Sequence, residues 1–365
     1  MQIRKLASPA LVGSVLISVL SLTGCSRSPD AFLDDQAAAE RARAADPAWK
    51  PSTKEVAVIQ VGEKGNGGNL HNFCLDTNGN ILACWGKPDL PGPAITGQIK
   101  VFDPEGKALA TWSLPTVPQA ACVASDGAIF AAGMGKILRL DAAGKVLASA
   151  DSPAEADKKE INRSEVESMY GEKLSDARFE EAKERLRQRK QGITGLAVSG
   201  EDLFVACPSP SDFGFAVYRL TRELKDPKIV LKGLRGCCGQ MDIQARDGKL
   251  WVAHNARHRV ECYDREGKKL TSFGKFDRAA ADGFGGCCEP KNLRLGTDGN
   301  VYASESGPPV CVKRFSADGK FGGVVSLPKF ESACVRVTVE VSPDCKRFYI
   351  LSTGDDAIHV LVAAN

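Results

Sequence analysis

The chain has 365 residues, of which 48 are Lys or Arg and 45 are Asp or Glu, so its formal net charge is only +3. This balance gives no global basic field and excludes nucleic acid as an expected partner. Because the first 24 residues hold Arg4 and Lys5 but no acidic residue, the remainder is nearly neutral. Its length suits one large domain or two ordinary ones.

The N-terminal segment has the pattern of a secretory signal. Two basic residues precede an apolar run over residues 10–22, which is too short for a comfortable membrane span. The run ends in the motif Leu22-Thr23-Gly24-Cys25. This motif resembles the lipobox of bacterial lipoproteins, which implies a signal peptide over residues 1–24 and attachment to the lipid bilayer through acylated Cys25. An uncleaved anchor helix is the alternative, and both place the remainder outside the cytoplasm.

Residues 25–53 are predicted to tether the lipid to the folded domain. They include a charged, Ala-rich stretch with helical character over residues 30–45, which stops at Pro47. A disordered stalk is the alternative. Ser26 directly follows the anchor, and similarity to the sorting rule of bacterial lipoproteins, in which Asp there retains the inner membrane, implies the outer membrane.

A repeated pattern runs through the rest of the chain. Each copy alternates apolar and polar positions, as in a half-buried strand, and then turns at Gly-Lys. Four copies occur, at residues 97–107, 135–145, 258–268 and 310–320. A strand, a glycine turn and a second strand precede these copies, at residues 73–83, 121–131, 241–253 and 293–303. Four strands in this order predict one propeller blade of about 40 residues.

The unit from Asn255 to Asp264, Asn-Ala-Arg-His-Arg-Val-Glu-Cys-Tyr-Asp, resembles NHL repeats of the gluconolactonase-like superfamily. The last unit resembles related propellers with a Ser-Pro-Asp-Gly-Lys turn, although Cys345 replaces the glycine. The resemblance implies an all-β fold, a six-bladed β-propeller over residues 54–365. The blades are expected at residues 66–116, 117–152, 192–234, 235–285, 286–331 and 332–365. A strand at residues 55–61 is expected to complete the last blade and close the ring.

A helical insertion over residues 154–191 interrupts the repeats. Two helices are predicted, at residues 161–170 and 175–191, and the second has acidic residues early and basic residues late, which suits the helix dipole. Six apolar residues are predicted to pack this insertion against the propeller: Val166, Met169, Tyr170, Phe179, Ala182 and Leu186. A partner-binding element is the alternative.

The chain has 13 cysteines, and 12 remain when Cys25 is assigned to lipid. An even number in an oxidising compartment predicts disulfides. Cys74 and Cys84 flank one glycine turn at equal distances, which makes them a candidate cross-strand pair.

Two doublets, Cys237-Cys238 and Cys287-Cys288, fall at matching places in consecutive blades. Their register predicts four neighbouring sulfur atoms at one end of the channel, with Cys122 and Cys334 at nearly corresponding positions in other blades. Interblade disulfides or disulfides within each doublet are one interpretation. A zinc or copper(I) site is another, and redox activity is a third, although no Cys-x-x-Cys motif is present.

Histidines and oxygen-bearing side chains offer other chemistry for the channel. The four histidines do not repeat the three-blade pattern of the zinc-dependent amidating lyases that share this kind of repeat. Resemblance to gluconolactonases implies instead a channel calcium held by carboxylate and amide oxygens. Five residues are placed by register to approach the axis: Asn72, Asp242, Glu289, Asn292 and Glu305. The alternative role of these side chains is to satisfy strand ends and turns.

The sequence therefore predicts a binding or scaffold module of the bacterial cell envelope. A protein or a small molecule is expected at one mouth of the propeller channel or at the helical insertion. The first alternative is a metal-dependent gluconolactonase-like or lyase-type enzyme, and the second is a thiol site for metal or redox exchange. The fold alone does not choose among them, because propellers host many functions.

Overall fold

The computed structural model describes residues 29–62, 68–87, 97–156, 160–209, 214–236, 240–329 and 336–364. The predictions for the signal segment, Cys25, Cys237, Cys238 and Cys334 lie outside these ranges. Within the described ranges, no helix combines the length and the apolar character that crossing a bilayer requires.

Six four-stranded antiparallel sheets make up the fold. In chain order, the strands are β1 (Thr53–Gln60), β2 (Asn69–Leu75), β3 (Ile81–Gly86), β4 (Gly97–Phe102), β5 (Ala108–Leu114), β6 (Ala120–Val123), β7 (Ile129–Gly133), β8 (Lys136–Leu140), β9 (Val146–Asp151), β10 (Gly195–Ser199), β11 (Asp202–Pro208), β12 (Phe215–Thr221), β13 (Lys228–Leu234), β14 (Ile243–Arg246), β15 (Lys249–His254), β16 (Arg259–Asp264), β17 (Lys269–Phe273), β18 (Asn292–Leu295), β19 (Asn300–Ser306), β20 (Val310–Ser316), β21 (Phe321–Ser326), β22 (Val339–Val341), β23 (Arg347–Ser352) and β24 (Ala357–Ala363). The helices are α1 (Pro29–Ala45), α2 (Pro153–Ala156), α3 (Arg163–Tyr170) and α4 (Asp176–Lys190).

Successive stretches of chain form successive blades around one channel. Blades 1 to 5 consist of β2–β5, β6–β9, β10–β13, β14–β17 and β18–β21, and blade 6 combines β22–β24 with β1. The first strands of neighbouring blades contact one another, which places these strands innermost. The predicted six-bladed β-propeller is confirmed.

Strand β1 closes the ring. It pairs antiparallel with β24, the last strand of the chain, and Ile59 stands opposite Ile358. Both side chains are buried in the cluster between blades 6 and 1. The predicted closure is confirmed, and it covers an edge that would otherwise expose unpaired backbone groups.

The repeated Gly-Lys turns have a common hydrogen-bonding scheme. In blade 1, Asp103 Oδ1 accepts the backbone N–H groups of Glu105 at 3.1 Å and Lys107 at 2.8 Å. Asp264 makes the corresponding bonds in blade 4, at 2.9 Å each. A short side-chain acceptor at the start of the turn thus replaces the ladder bonds that the chain reversal removes.

We expect Gly106→Ala to destabilise the protein more than Gly127→Ala. Both glycines have positive φ, +93° and +85°, which costs an alanine about 1 kcal/mol. A Cβ at Gly106 would also lie 2.7 Å from Ile59 Cγ1 of the closing strand, whereas nothing lies within 4 Å of one at Gly127. Overpacking adds about 1–2 kcal/mol for Gly106. Urea denaturation of the two variants measures the difference, and equal losses would contradict it.

The helical insertion packs mainly on itself. Val166, Leu174, Phe179 and Ala182 form a small buried cluster between α3 and α4, with Leu186 partly buried against it. Tyr170 is 45% exposed, so its predicted packing role is wrong. The structure does not describe the side chain of Met169, so the prediction for this residue is untested. Because α3 and α4 supply each other's apolar surface, the insertion needs only limited contact with the propeller.

The segment before β1 is attached to blade 5. Trp49 is buried with Ala281, Cys311 and Val324. Its Nε1 donates a hydrogen bond of 2.7 Å to the carbonyl oxygen of Ala279. The structure thus describes the segment as helix α1 followed by a docked tryptophan, rather than the disordered stalk considered as an alternative.

Candidate functional site

Polar side chains link the innermost strands of three successive blades and extend to a fourth. Asn292 Nδ2 donates to Asp242 Oδ2 at 2.7 Å, and Asn292 Oδ1 accepts the backbone N–H of Val339 at 2.9 Å. Thr338 Oγ1 donates to Asn72 Oδ1 at 2.8 Å. Three of the predicted axial residues, Asn72, Asp242 and Asn292, therefore belong to one buried network.

Two arginines share this channel with two acids. Arg294 forms an ion pair with Glu340, and both side chains are almost fully buried. Burial raises the pKa of Glu340 to about 7 although Arg294 opposes the shift. Burial also raises the pKa of Asp242, against the charges of Arg294 and Arg336. The channel thus holds a mixed cluster in which guanidinium groups compensate the carboxyl groups.

These residues do not fit a channel calcium ion. Asn292 Oδ1 and Asn72 Oδ1 accept hydrogen bonds, as does Asp242 Oδ2 from the backbone N–H of Leu293. Calcium needs six to eight oxygen ligands, and the nearby guanidinium groups would repel it. Among the residues that the structure describes, no group of three or more His, Cys, Asp or Glu side chains is arranged to hold a metal.

The other two predicted axial residues, Glu289 and Glu305, belong to a separate network. Glu289 Oε1 accepts the backbone N–H and the hydroxyl of Ser306, at 2.9 and 2.7 Å. Glu305 pairs with Lys313 at 2.5 Å and also accepts the backbone N–H of Gly285. Of the five residues placed by register to approach the axis, these two acids thus contact the loop before β18 and strands β19 and β20 rather than the network of Asn72, Asp242 and Asn292.

The same loop holds the second cysteine doublet. Cys287 Sγ and Cys288 Sγ lie 3.2 Å apart, and Lys291 Nζ lies 3.1 Å from Cys288 Sγ. Cys287 is exposed, whereas Cys288 and Lys291 are buried. Sequence reasoning identified the doublet but missed the lysine, although its position three residues after Cys288 was a usable signal.

The predicted pair Cys74 and Cys84 is not directly opposed. Cys74 stands opposite Leu82, and Cys84 opposite Asn72. The hairpin is centred on Asn78 rather than on the glycine that follows, which displaces the cysteines by two positions. Both are buried free thiols, and burial raises the pKa of Cys84 to about 12. Their geometry does not favour the disulfide expected from the sequence.

A cavity of about 210 Å³ opens at one mouth of the channel. Its lining combines basic and polar side chains with small apolar residues: His71, Gln119, Arg189, Gly192, Ile193, Thr194, Pro208 and Arg336. Arg336 donates to the carbonyl oxygens of Gln119 at 3.1 Å and Thr194 at 3.3 Å, which aims its guanidinium group across the channel. Helix α4 supplies Arg189. Sequence reasoning missed both arginines because it sought oxygen and sulfur ligands.

No family model and no curated protein matches this chain. Among solved structures, a luciferin-regenerating enzyme has a TM-score of 0.51 at 12% identity, over 85% of this chain and 95% of its own. A gluconolactonase from Xanthomonas campestris has a TM-score of 0.46 at 12% identity, over 85% of this chain and 99% of its own. At this identity, the likeness shows the propeller fold alone.

Proposed function

We propose that this protein is a lipid-anchored β-propeller of the bacterial cell envelope that binds a small anionic ligand at the mouth of its channel. The lipobox-like motif ending at Cys25 supports the anchor, and Ser26 supports the outer membrane. The observation that carries the binding role is the cavity lined by Arg189 and Arg336.

Both guanidinium groups are available to a ligand. Among the described residues, neither Arg189 nor Arg336 forms an ion pair. Burial lowers the pKa of Arg336, and the charge of Asp242 opposes this shift only in part. Asp242 acts on Arg336 as a nearby charge, so an anionic ligand in direct contact with the guanidinium group would offset part of the remaining cost of burying this cation. Guanidinium groups bind carboxylate and phosphate oxygens in a bidentate manner.

The size of the cavity restricts the ligand. Its 210 Å³ is smaller than the roughly 300–1,000 Å³ of pockets that enclose drug-sized molecules. His71 and Thr194 add polar groups to the wall, whereas Ile193 and Pro208 are apolar. This combination suits a compact molecule with one anionic group and a short apolar or hydroxylated body.

We expect Arg336→Gln to weaken binding of such a ligand by about tenfold to a hundredfold, because a charged hydrogen bond contributes about 1.5–3 kcal/mol. Isothermal titration with succinate, citrate and inorganic phosphate as probes measures the effect. Arg189→Gln should also weaken binding. Arg187→Gln is the matched control, because Arg187 lies on the same helix, is 3.7 Å from Glu184 and does not line the cavity. Unchanged affinity in both cavity variants, or no binding of any probe, would refute the proposed site.

The enzyme alternative is tested separately. The propeller fold is compatible with a gluconolactonase-like or lyase-type reaction through a channel metal. The side-chain oxygen atoms that would bind the metal, however, accept hydrogen bonds, and arginines lie beside them. We expect added calcium to leave the rate of glucono-lactone hydrolysis at that of the uncatalysed reaction. Calcium-dependent turnover that is lost in Asp242→Asn would favour the enzyme over the binding module.

A further inference from the structure

Neighbouring cysteines lie in the loop that leads into strand β18. The sulfur atoms of Cys287 and Cys288 are 3.2 Å apart, in contact but not bonded. The side chain of Cys287 is exposed, whereas that of Cys288 is fully buried. The two thiols therefore differ in their access to an external reactant while they remain in contact with each other.

A buried ammonium group lies beside the inner sulfur. Lys291 is only 1% exposed, and its Nζ is 3.1 Å from Cys288 Sγ. A cation at this distance stabilises the thiolate, which is the nucleophilic form of cysteine. The sulfur that the cation stabilises, that of Cys288, is thus buried, whereas the sulfur of Cys287 is accessible to solvent.

Two of the described acids, Glu289 and Glu305, belong to the same network as Lys291. Burial raises the pKa of Glu289 to about 8, so that its carboxyl group is mainly uncharged at neutral pH. Glu305 is committed to Lys313, at 2.5 Å. At 3.1 Å, the ammonium group of Lys291 is close enough to act on the sulfur of Cys288.

We infer that Cys287 and Cys288 form a thiol–disulfide exchange site whose substrate is an external disulfide, R–S–S–R′. Cys287 loses its proton to solvent and attacks one sulfur of the substrate. A mixed disulfide between Cys287 and R forms, while R′S⁻ leaves and takes up a proton. The Cys288 thiolate, held by Lys291, then attacks the Cys287 sulfur and displaces RS⁻. Two protein thiols are oxidised to one disulfide, and the substrate disulfide is reduced to two thiols.

The exchange is readily reversible because the two cysteines are adjacent. Consecutive Cα atoms are about 3.8 Å apart, less than the roughly 4.4–6.8 Å that ordinary disulfides span. A disulfide closed between neighbours is therefore strained, and strained disulfides are the labile and catalytic ones. The site shares no residue with the anion cavity, so each proposal can fail without the other.

The test uses the full-length protein in detergent, reduced and then freed of reductant. Glutathione disulfide is the probe, and mass spectrometry of the intact protein follows the reaction with time. We expect a glutathione adduct on Cys287 first, and then its loss with formation of a Cys287–Cys288 bond in the peptide map. A second arm replaces glutathione disulfide with a peptide cyclised by one disulfide. The faster arm identifies the source of the substrate, and oxidation of the doublet in either arm supports the site.

Variants separate the two steps. Cys287→Ser should abolish the adduct, and Cys288→Ser should form an adduct that persists. Lys291→Met should slow the second step by about tenfold while leaving the first nearly unchanged, since one pKa unit corresponds to a tenfold change in proton affinity. Lys275→Met is the matched control, because Lys275 is an exposed lysine of the same connection, 3.0 Å from Asp282.

Two results would overturn the inference. One is a protein in which Cys287 remains a thiol after prolonged exposure to both disulfides. The other is a peptide map in which Cys287 pairs with a cysteine other than Cys288. Both results are measured on the protein without substitutions, so they remain decisive even if the Lys291→Met variant does not fold.

Discussion

Replacing Arg294 with methionine is expected to lower the free energy of unfolding by about 3–5 kcal/mol at pH 7.5. Arg294 and Glu340 form an ion pair inside the channel, with side chains that are 12% and 8% exposed. Methionine removes the cation and leaves the carboxylate in a medium that solvates it poorly. Urea denaturation followed by tryptophan fluorescence measures the loss.

The same pair provides its own control. In the double variant Arg294→Met with Glu340→Leu, no charge is left alone, and most of the lost stability should return. The single variant should also lose less at pH 5.5 than at pH 7.5, because the pKa of Glu340 is already raised to about 7 and protonation relieves the unpaired charge. A loss that is equal in the single and double variants would assign it to packing instead.

The blades could be predicted from sequence because their determinants are local. Alternating apolar positions define each strand, and a short polar residue such as Asp103, Asp264 or Ser316 starts each of the repeated Gly-Lys turns. These signals recur at matching places, so the number of blades follows from counting them. The closing strand β1 was also predictable, since blade 6 lacked its outermost strand and the ring had to close.

The site was less predictable because its contacts join distant parts of the chain. Repeat register placed Asn72, Asp242 and Asn292 near the axis, but it did not show that their oxygen atoms accept hydrogen bonds from neighbouring blades. Sequence also could not reveal that Arg294 and Arg336 enter the same space. Charge compensation in a propeller channel depends on which residues face one another across blades, and no local pattern encodes that.

A one-residue error in the predicted centre of the β2–β3 hairpin changes which residues stand opposite the cysteines. Cys74 and Cys84 are symmetric about Gly79 in sequence, yet the hairpin is centred one residue earlier. A shift of one residue in the centre displaces cross-strand partners by two positions, which changes an opposed pair into a diagonal one. Predicting a disulfide from sequence spacing therefore requires the geometry of the turn as well as the number of residues between each cysteine and the turn.

Stability is also expected to fall by about 1–2 kcal/mol as the pH rises from about 6.5 to 8, owing to Glu289. Burial, with a contribution from Glu305, raises the pKa of Glu289 to about 8, although Lys291 opposes the shift. Because this value lies above that of the unfolded chain, the folded protein binds more protons in the window, and each rise in pH favours unfolding. The charged and thiol groups that act with Glu289 in this network are Lys291, Glu305, Cys311 and Lys313.

The window from pH 6.5 to 8 separates the contribution of Glu289 from those of groups whose contribution to stability increases with pH. Burial lowers the pKa of His258, so its contribution to stability rises with pH and levels off above about pH 6.5, as the unfolded chain also loses this proton. The pKa of Glu261 is lowered to about 2, because hydrogen bonds to His254, Lys269 and Tyr263 outweigh its burial, and its contribution is lost only in acid. The fall in stability across the window therefore comes mainly from carboxyl groups with a raised pKa, which besides Glu289 include Glu340, near 7, and Asp242.

Glu289→Gln should flatten this slope and raise stability at pH 8. The amide oxygen can still accept the hydrogen bonds of Ser306, while the group no longer ionises. Glu266→Gln is the control, because the pKa of Glu266 is lowered to about 2 by hydrogen bonds from Lys228 and Arg219, and the group does not titrate in the window. Urea midpoints at pH 6.5, 7.25 and 8 measure both variants. An unchanged slope in Glu289→Gln would mean that this carboxyl group is already charged at pH 6.5, and that the ammonium group of Lys291 is then shared between Glu289 and the sulfur of Cys288.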